Sequence, residues 1–280
     1  LALCWLPVWI IYFPGIVPDV ATISIAMFLG DMPWDNHYPV FYSLIIGVCL
    51  KIGDLFLDYN AGVALYSFLQ LGTMALILGR TLEWLRSKGI HKVLVYFGLA
   101  FFGAVPFFGN YAIVMWKDPW FCGIMLLLGM FLYDHVVEDR SSFLKKRNLG
   151  IYSGMSILMS LLRNNGVYIV ILTSLCLLFL YRKEIKKVAA VTIATVAVVY
   201  IVTGPVYMSV FSAENLFVES VGIPLQQMVR VVVEKGEIGE EEEEFLNGLM
   251  PMDKYQEYYN PFLVDPVKWA PEFHTDYLNG

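Results

Sequence analysis

The stretch VAAVTIATVAVVYIVTGPVYM, residues 188–208, runs for 21 residues without a charged side chain. A helix needs roughly 20 such residues to cross the ~30 Å hydrocarbon core of a bilayer. Inside lipid, a helix satisfies its own backbone hydrogen bonds. Further apolar runs occupy residues 1–17, 38–56, 61–82, 93–111, 120–137, 149–162 and 167–181. With 58% hydrophobic and only 16% charged residues, the composition lies outside the soluble globular range. The fold class expected is all-α, a polytopic transmembrane helical bundle. Cys4, Cys49, Cys122 and Cys176 all fall within apolar runs, without the close pairing of a zinc site or a disulfide framework. They read as packing residues. The chain opens in mid-helix at Leu1 and stops at Asn279–Gly280 without a closing element, as a fragment of a longer protein would.

The connectors set the orientation. Residues 83–92 (EWLRSKGIHK), 138–148 (EDRSSFLKKRN) and 182–187 (RKEIKK) are basic, and basic loops stay on the cytoplasmic side. Alternate crossing satisfies the last two. It satisfies the first only if residues 38–56 do not span, and Lys51, Asp54, Asp58, Gly47 and Gly53 make that run the weakest candidate. The expectation is seven crossings, with residues 18–60 as one large outer loop carrying juxtamembrane helices. The division expected is a transmembrane module, 1–208, and an acidic extracytoplasmic segment, 209–280. That segment holds fourteen acidic against four basic residues, a balance repelled by anionic headgroups. Its EEEEE run reads as a solvated helix face, since contiguous carboxylates on a helix point in different directions. Residues 220–236 read as a helix with one apolar face, expected to pack against the mouth of the bundle.

This topology brings Asp19, Asp31, Asp35, His37, Lys117, Asp118, Arg163, Asn164 and Asn165 to one side of the membrane. Ionisable groups beside hydrocarbon are costly and mark function by default. Each has a plainer role as well. Asp19 after Pro18 would serve as a helix N-cap, and Asp118 would cap a helix beginning at Trp120. Asp31 and Asp35 frame a solvated turn, and His37 would make a single interfacial hydrogen bond. Arg163 would snorkel to the interface. Against that, RNNG at 163–166 offers a guanidinium and two amides at one turn, a cradle for a phosphate. Neither a Walker loop nor a GxGxxG after a strand is present, which removes the common nucleotide sites. Carboxylates with an arginine suit chemistry on a lipid-linked phosphate, the carboxylate as base and the cation opposite the departing charge.

The order PGIVPD, NHYPVFYSLI, WKDPWF and LLRNNGVY resembles the GT-C superfamily of integral membrane glycosyltransferases. The likeness is to its protein O-mannosyltransferase-like (glycosyltransferase family 39-like) branch, and within that to an uncharacterised bacterial group, which this chain's tail ESVGIPLQQMVRVV also resembles. Asp19 matches the acidic residue of the family's first outer loop, His37–Pro39 its His-Pro motif, and Asp118 the acidic residue of the next outer loop. The signature HPP stands here as HYP, and Asp19 is followed by Val20 rather than a second acid, which leaves Asp35 or Asp31 as substitute bases.

The resemblance implies transfer of a sugar from a polyprenyl-phosphate-linked donor to an acceptor at the extracytoplasmic face of a bacterial cell membrane. Asp19 and Asp118 would be catalytic, with Asp19 as general base. Asp35, His37, Lys117, Arg163, Asn164 and Asn165 would contact substrate. A divalent cation, Mg²⁺ or Mn²⁺, suits the hard oxygen ligands, and His37 leaves room for zinc. The partners implied are the lipid-linked donor, membrane lipids and an unspecified acceptor, with no nucleic acid. Two other readings stand beside this one: a transporter or flippase for a lipid-linked or anionic substrate, and a non-catalytic assembly subunit of the same fold.

Overall fold

A computed structural model describes residues 1–213 and 217–278, and Asn279–Gly280 lie outside the described residues. Helices dominate, and no strand forms among the described residues. Two compact units divide the chain, Leu1–Glu214 and Asn215–Gly280.

In the first unit, α1 (Ala2–Ile11) and α2 (Asp19–Leu29) are short. Helices α3 (Val40–Phe56) and α4 (Tyr59–Ser87) form an antiparallel hairpin. Its crossing depends on two glycines, for a Cβ on Gly53 would sit 2.0 Å from the Gly62 nitrogen. Tyr42 meets Tyr66 edge-to-face at 6.2 Å, so α3 starts level with Tyr66 and runs back toward Tyr59. It therefore leads away from the Ser87 end of α4.

The run at 93–111 is broken in two. α5 (Lys92–Ala104) and α6 (Pro106–Ile113) meet at a 59° bend. Pro106 has no N–H to give the carbonyl of Phe102 four residues earlier, and that carbonyl accepts from the Trp5 indole Nε1 at 2.9 Å instead. α7 (Lys117–Leu132) continues through a π turn to Glu138, and α8 (Lys146–Leu162) and α9 (Gly166–Leu180) follow. α10 (Ile185–Ile201) passes through a π turn containing Pro205 into α11 (Tyr207–Phe211).

Three helical stretches are long and apolar enough to cross a membrane: Tyr59–Ser87, Lys117–Glu138 and Arg182–Phe211. The bent pair α5–α6 makes a fourth if taken as one span. At 1.5 Å per residue, α8 and α9 reach only about 25 and 22 Å, short of the seven full-length crossings expected.

The three basic connectors gather at one end of this unit. Lys88 bridges Asp134, at 2.6 Å, and Glu138, and those hydrogen bonds push its ammonium pKa up. Trp84 Nε1 donates to Asp134 at 2.8 Å, while Tyr181 Oη donates to the Arg140 carbonyl at 2.8 Å. Of the cysteines, Cys49 is buried, while Cys4, Cys122 and Cys176 are exposed on the helical surface; Cys4 nonetheless sits against Gly103 of α5.

The second unit builds its own core from α13 (Gly222–Val233), α14 (Glu240–Leu249) and the short α12 (Phe217–Ser220), α15 (Tyr255–Tyr258) and α16 (Asp265–Lys268). Leu225 and Val229 on α13 bury against Leu246, Leu249 and Tyr255, so the apolar face read from residues 220–236 finds partners within its own unit. Burial pushes the Tyr255 phenol up to about 12, and its Oη donates to the Leu246 carbonyl at 2.7 Å. Glu240–Glu243 form the exposed first turn of α14, where carboxylates complement the positive end of the helix dipole.

Candidate functional site

Residues 14–16 and 114–116 run side by side before two helices. Ile16 and Val114 form a parallel bridge, and Met115 N donates to the Ile16 carbonyl at 2.9 Å. Three residues beyond the bridge on each strand, α2 begins at Asp19 and α7 at Lys117. Ala21, Met115 and Trp120 then share one core cluster with Tyr42 and Tyr66. Two helix starts are thus held together at the end of the unit opposite the basic connectors.

Gln70 fixes this arrangement. α6 ends by leaving carbonyls without intrahelical partners. The buried Gln70 Nε2 donates to three carbonyls there, Tyr111 at 3.2 Å, Ala112 at 3.3 Å and Val114 at 2.6 Å. Its Oε1 accepts from Tyr66 Oη at 2.9 Å, and that hydroxyl accepts from Trp120 Nε1 at 2.9 Å. A polar chain through α4 therefore sets the segment that delivers Lys117 and Asp118.

At the start of α7, Asp118 accepts a charge-assisted hydrogen bond from Arg163 Nη1. Both side chains are part-exposed, 34% for Asp118 and 42% for Arg163, and the guanidinium lies 5.8 Å from the Phe121 ring centroid. Arg163 is therefore paired rather than snorkelling alone. Nor does Asp118 cap a helix at Trp120, because α7 already starts at Lys117 with Trp116 as its N-cap. Lys117 Nζ lies 6.0 Å from the centroid of Tyr38. Asn164 Nδ2 donates to the Asn36 carbonyl at 2.8 Å, and Asn36 Nδ2 donates in turn to Thr203 at the π turn after α10, at 3.0 Å. The loop at 35–38, the start of α7 and the turn at 163–165 thus converge.

Asp19 is exposed at the first position of α2, and it is not the N-cap, a place taken by Pro18. It makes no hydrogen bond or ion pair among the described residues. Asp31 and Asp35 lie at the far end of α2. Asp35 N contacts Met27 Sδ at 3.3 Å, about 12 Å along the helix axis from Asp19 at 1.5 Å per residue. Asp35 Oδ1 accepts from His37 N at 2.8 Å, and the exposed His37 ring stands edge-on to Tyr38 at 5.1 Å. Asn165 is exposed as the N-cap of α9, without a side-chain cap bond.

Asn36 and Gln70 lie outside the site residues expected from the sequence, and Tyr38 enters there only within the HYP motif. Asn36 is buried, and its Oδ1 has no partner among the described residues. Such an orphaned acceptor costs about 1–3 kcal/mol unless something donates to it. Gln70, the one side-chain amide between Ala61 and Leu82 of α4, could have been flagged as a polar group within an apolar run.

An apolar groove of about 260 Å³ runs from this site between α1, α4, α6 and α7. Met74, Ile77, Leu78, Phe108 and Leu126 are among its walls, and Asp118 is the one charged side chain that lines it. For a cation the donors are few. Among the described residues no three His, Cys, Asp or Glu side chains come together, and Arg163 already occupies one Asp118 oxygen. Mg²⁺ or Mn²⁺ would need most of its six oxygens from phosphate and water, and among the described residues His37 belongs to no group of three that could hold zinc. Among the described residues, the side chains do not form a protein-held metal centre.

Residues 32–272 match the model of a family of unknown function (DUF6020), and since the match takes in most of its 280 residues, the chain belongs to that family. No curated protein and no solved structure matches it.

Proposed function

We propose that this member of the DUF6020 family is a GT-C-like membrane glycosyltransferase that moves a sugar from a polyprenyl-phosphate carrier to an acceptor hydroxyl at the outer membrane face. The observation that carries the reading is the Asp118–Arg163 pair at an apolar groove. A lipid-linked phosphate has the same two parts, an apolar chain and an anionic head. In this reading the chain lies along the groove. Arg163, aimed by Asp118, and Lys117 offset the phosphate charge, and Asn164 and the Asn36 Oδ1, which has no partner among the described residues, hold polar groups of the donor.

Asp19 takes the proton from the acceptor hydroxyl. The oxygen attacks the anomeric carbon, the bond from that carbon to the phosphate oxygen breaks, and the carrier phosphate leaves with the electron pair toward Arg163. Displacement from the opposite side inverts the anomeric centre. Losing one preorganised donor from an oxyanion hole costs about 2.7–4 kcal/mol, and that is the scale expected for the cation facing the leaving charge here. The seven-crossing topology belongs to the same proposal. It uses α1, α4, the bent α5–α6 pair, α7, α8, α9 and α10, with α2 and α3 outside the count.

The test is transfer from a panel of polyprenyl-phosphate sugars to membrane acceptors in reconstituted vesicles. Asp19→Asn should abolish transfer while expression and thermal stability stay at wild-type level. Undiminished transfer removes Asp19 as the base. Lipid flipping that survives the substitution, with no transfer by the wild type, favours a transporter.

A further inference from the structure

At the basic end of the first unit a cleft of about 750 Å³ opens between the turns at 140–144 and 180–184. Arg140, Arg182 and Lys183 line it, together with Ser141 and one acid, Glu184. That carboxylate is already paired with Lys187 at 2.9 Å, so the cleft is cationic.

Lone basic side chains at helix ends commonly just extend to water. Arg140 does otherwise. Its Nη2 donates to the Leu180 carbonyl, its guanidinium stacks 5.3 Å from the Tyr181 ring centroid, and Tyr181 Oη donates back to the Arg140 carbonyl at 2.8 Å. This reciprocal lock joins the two connectors and fixes one cation in the wall, with most of its five N–H donors left for a ligand. Arg182 lies 4.8 Å from the Phe179 ring centroid. Phe179 and Leu180, exposed by 66% and 42%, continue the cleft as apolar surface on α9. A planar guanidinium fork matches a phosphate group, and basic pockets between membrane helices select anionic headgroups.

We infer that this cleft binds the phosphate of an anionic phospholipid from the adjoining leaflet. Arg140, Arg182 and Lys183 hold the headgroup, and the acyl chains run along Phe179 and Leu180. The site is separate from the Asp118–Arg163 groove and stands whether or not the transferase reading does.

Native mass spectrometry of the purified full chain tests this, with phosphatidylglycerol, phosphatidylcholine or inorganic phosphate added in turn. The wild type should retain phosphatidylglycerol at energies that strip phosphatidylcholine, and inorganic phosphate should neither bind nor compete. Arg182→Gln/Lys183→Gln, on an exposed 3₁₀ turn, should weaken retention roughly 30-fold, the worth of two basic groups at an anionic surface. The control Arg86→Gln/Lys92→Gln removes equal charge at the same end and should leave retention unchanged. Equal loss in the control reduces the effect to net charge and overturns the site. No loss in the double variant overturns it too, and displacement by inorganic phosphate replaces the lipid with a free anion.

Discussion

Replacing Arg163 by Gln separates a structural ion pair from a working one. Among the described residues its guanidinium meets only Asp118 as a charged partner, and the two side chains keep 42% and 34% of their surface in contact with solvent. An ion pair this exposed contributes little to folding, about 1 kcal/mol at most. For a unit of this size that corresponds to a fall in melting temperature of about 2–4 °C. In the proposed reaction a charge facing a departing phosphate is worth more, because the site would hold it in place before reaction. Its loss should lower transfer by roughly 10²–10³-fold. The assay pairs thermal unfolding with single-turnover transfer in the same reconstituted preparation. Asp118→Asn should reproduce most of the kinetic loss, and the double variant should be scarcely worse than the poorer single, as residues acting as a unit behave. Transfer at wild-type rates despite the small thermal shift would refute the reasoning. So would additive losses in the double variant.

Gln70→Leu leaves three carbonyls and the Tyr66 hydroxyl without their partner and should cost about 2–4 kcal/mol, read as a lowered unfolding midpoint in detergent. Gly62→Val drives a side chain into Leu50, whose Cα stands 2.5 Å from an added Cβ; the α3–α4 hairpin should open, measured as faster proteolysis at residues 53–62. In the second unit Tyr255 carries a pH signature. Its folded pKa of about 12 lies above the ordinary 10.0, so its contribution is complete below pH 10.0 and fades as pH rises toward 12. Fluorescence-detected alkaline unfolding should show that loss in the wild type and not in Tyr255→Phe.

The basic connectors were the most legible part of the sequence, and the reason is physical. Charge at helix ends is a local property, and 83–92, 138–148 and 182–187 do meet at one end. The status of residues 38–56 read from parity belongs to the proposed topology; the structure shows only that α3 runs back beside α4 toward Tyr59. Helix starts were harder. Asp-Pro at 118–119 reads as a cap before a helix, yet α7 begins two residues before Pro119. The first turn has no intrahelical use for the N–H that proline lacks. Arg163 and Asp118 are 45 residues apart, and local pattern cannot reveal a long-range pair. The partners of Asn36 and Gln70 were hidden for the same reason, although Gln70 stands out as a polar residue: each depends on carbonyls elsewhere, at Thr203 and at the end of α6.

The central claim is that the Asp118–Arg163 end and the basic end face opposite sides of a membrane. Asn164→Cys and Ser141→Cys, both exposed positions, report on it in a chain whose four cysteines are replaced by alanine. In sealed vesicles of one orientation, an impermeant maleimide should label one of the two positions at once and the other only after permeabilisation. Labelling of both from the same side contradicts the account.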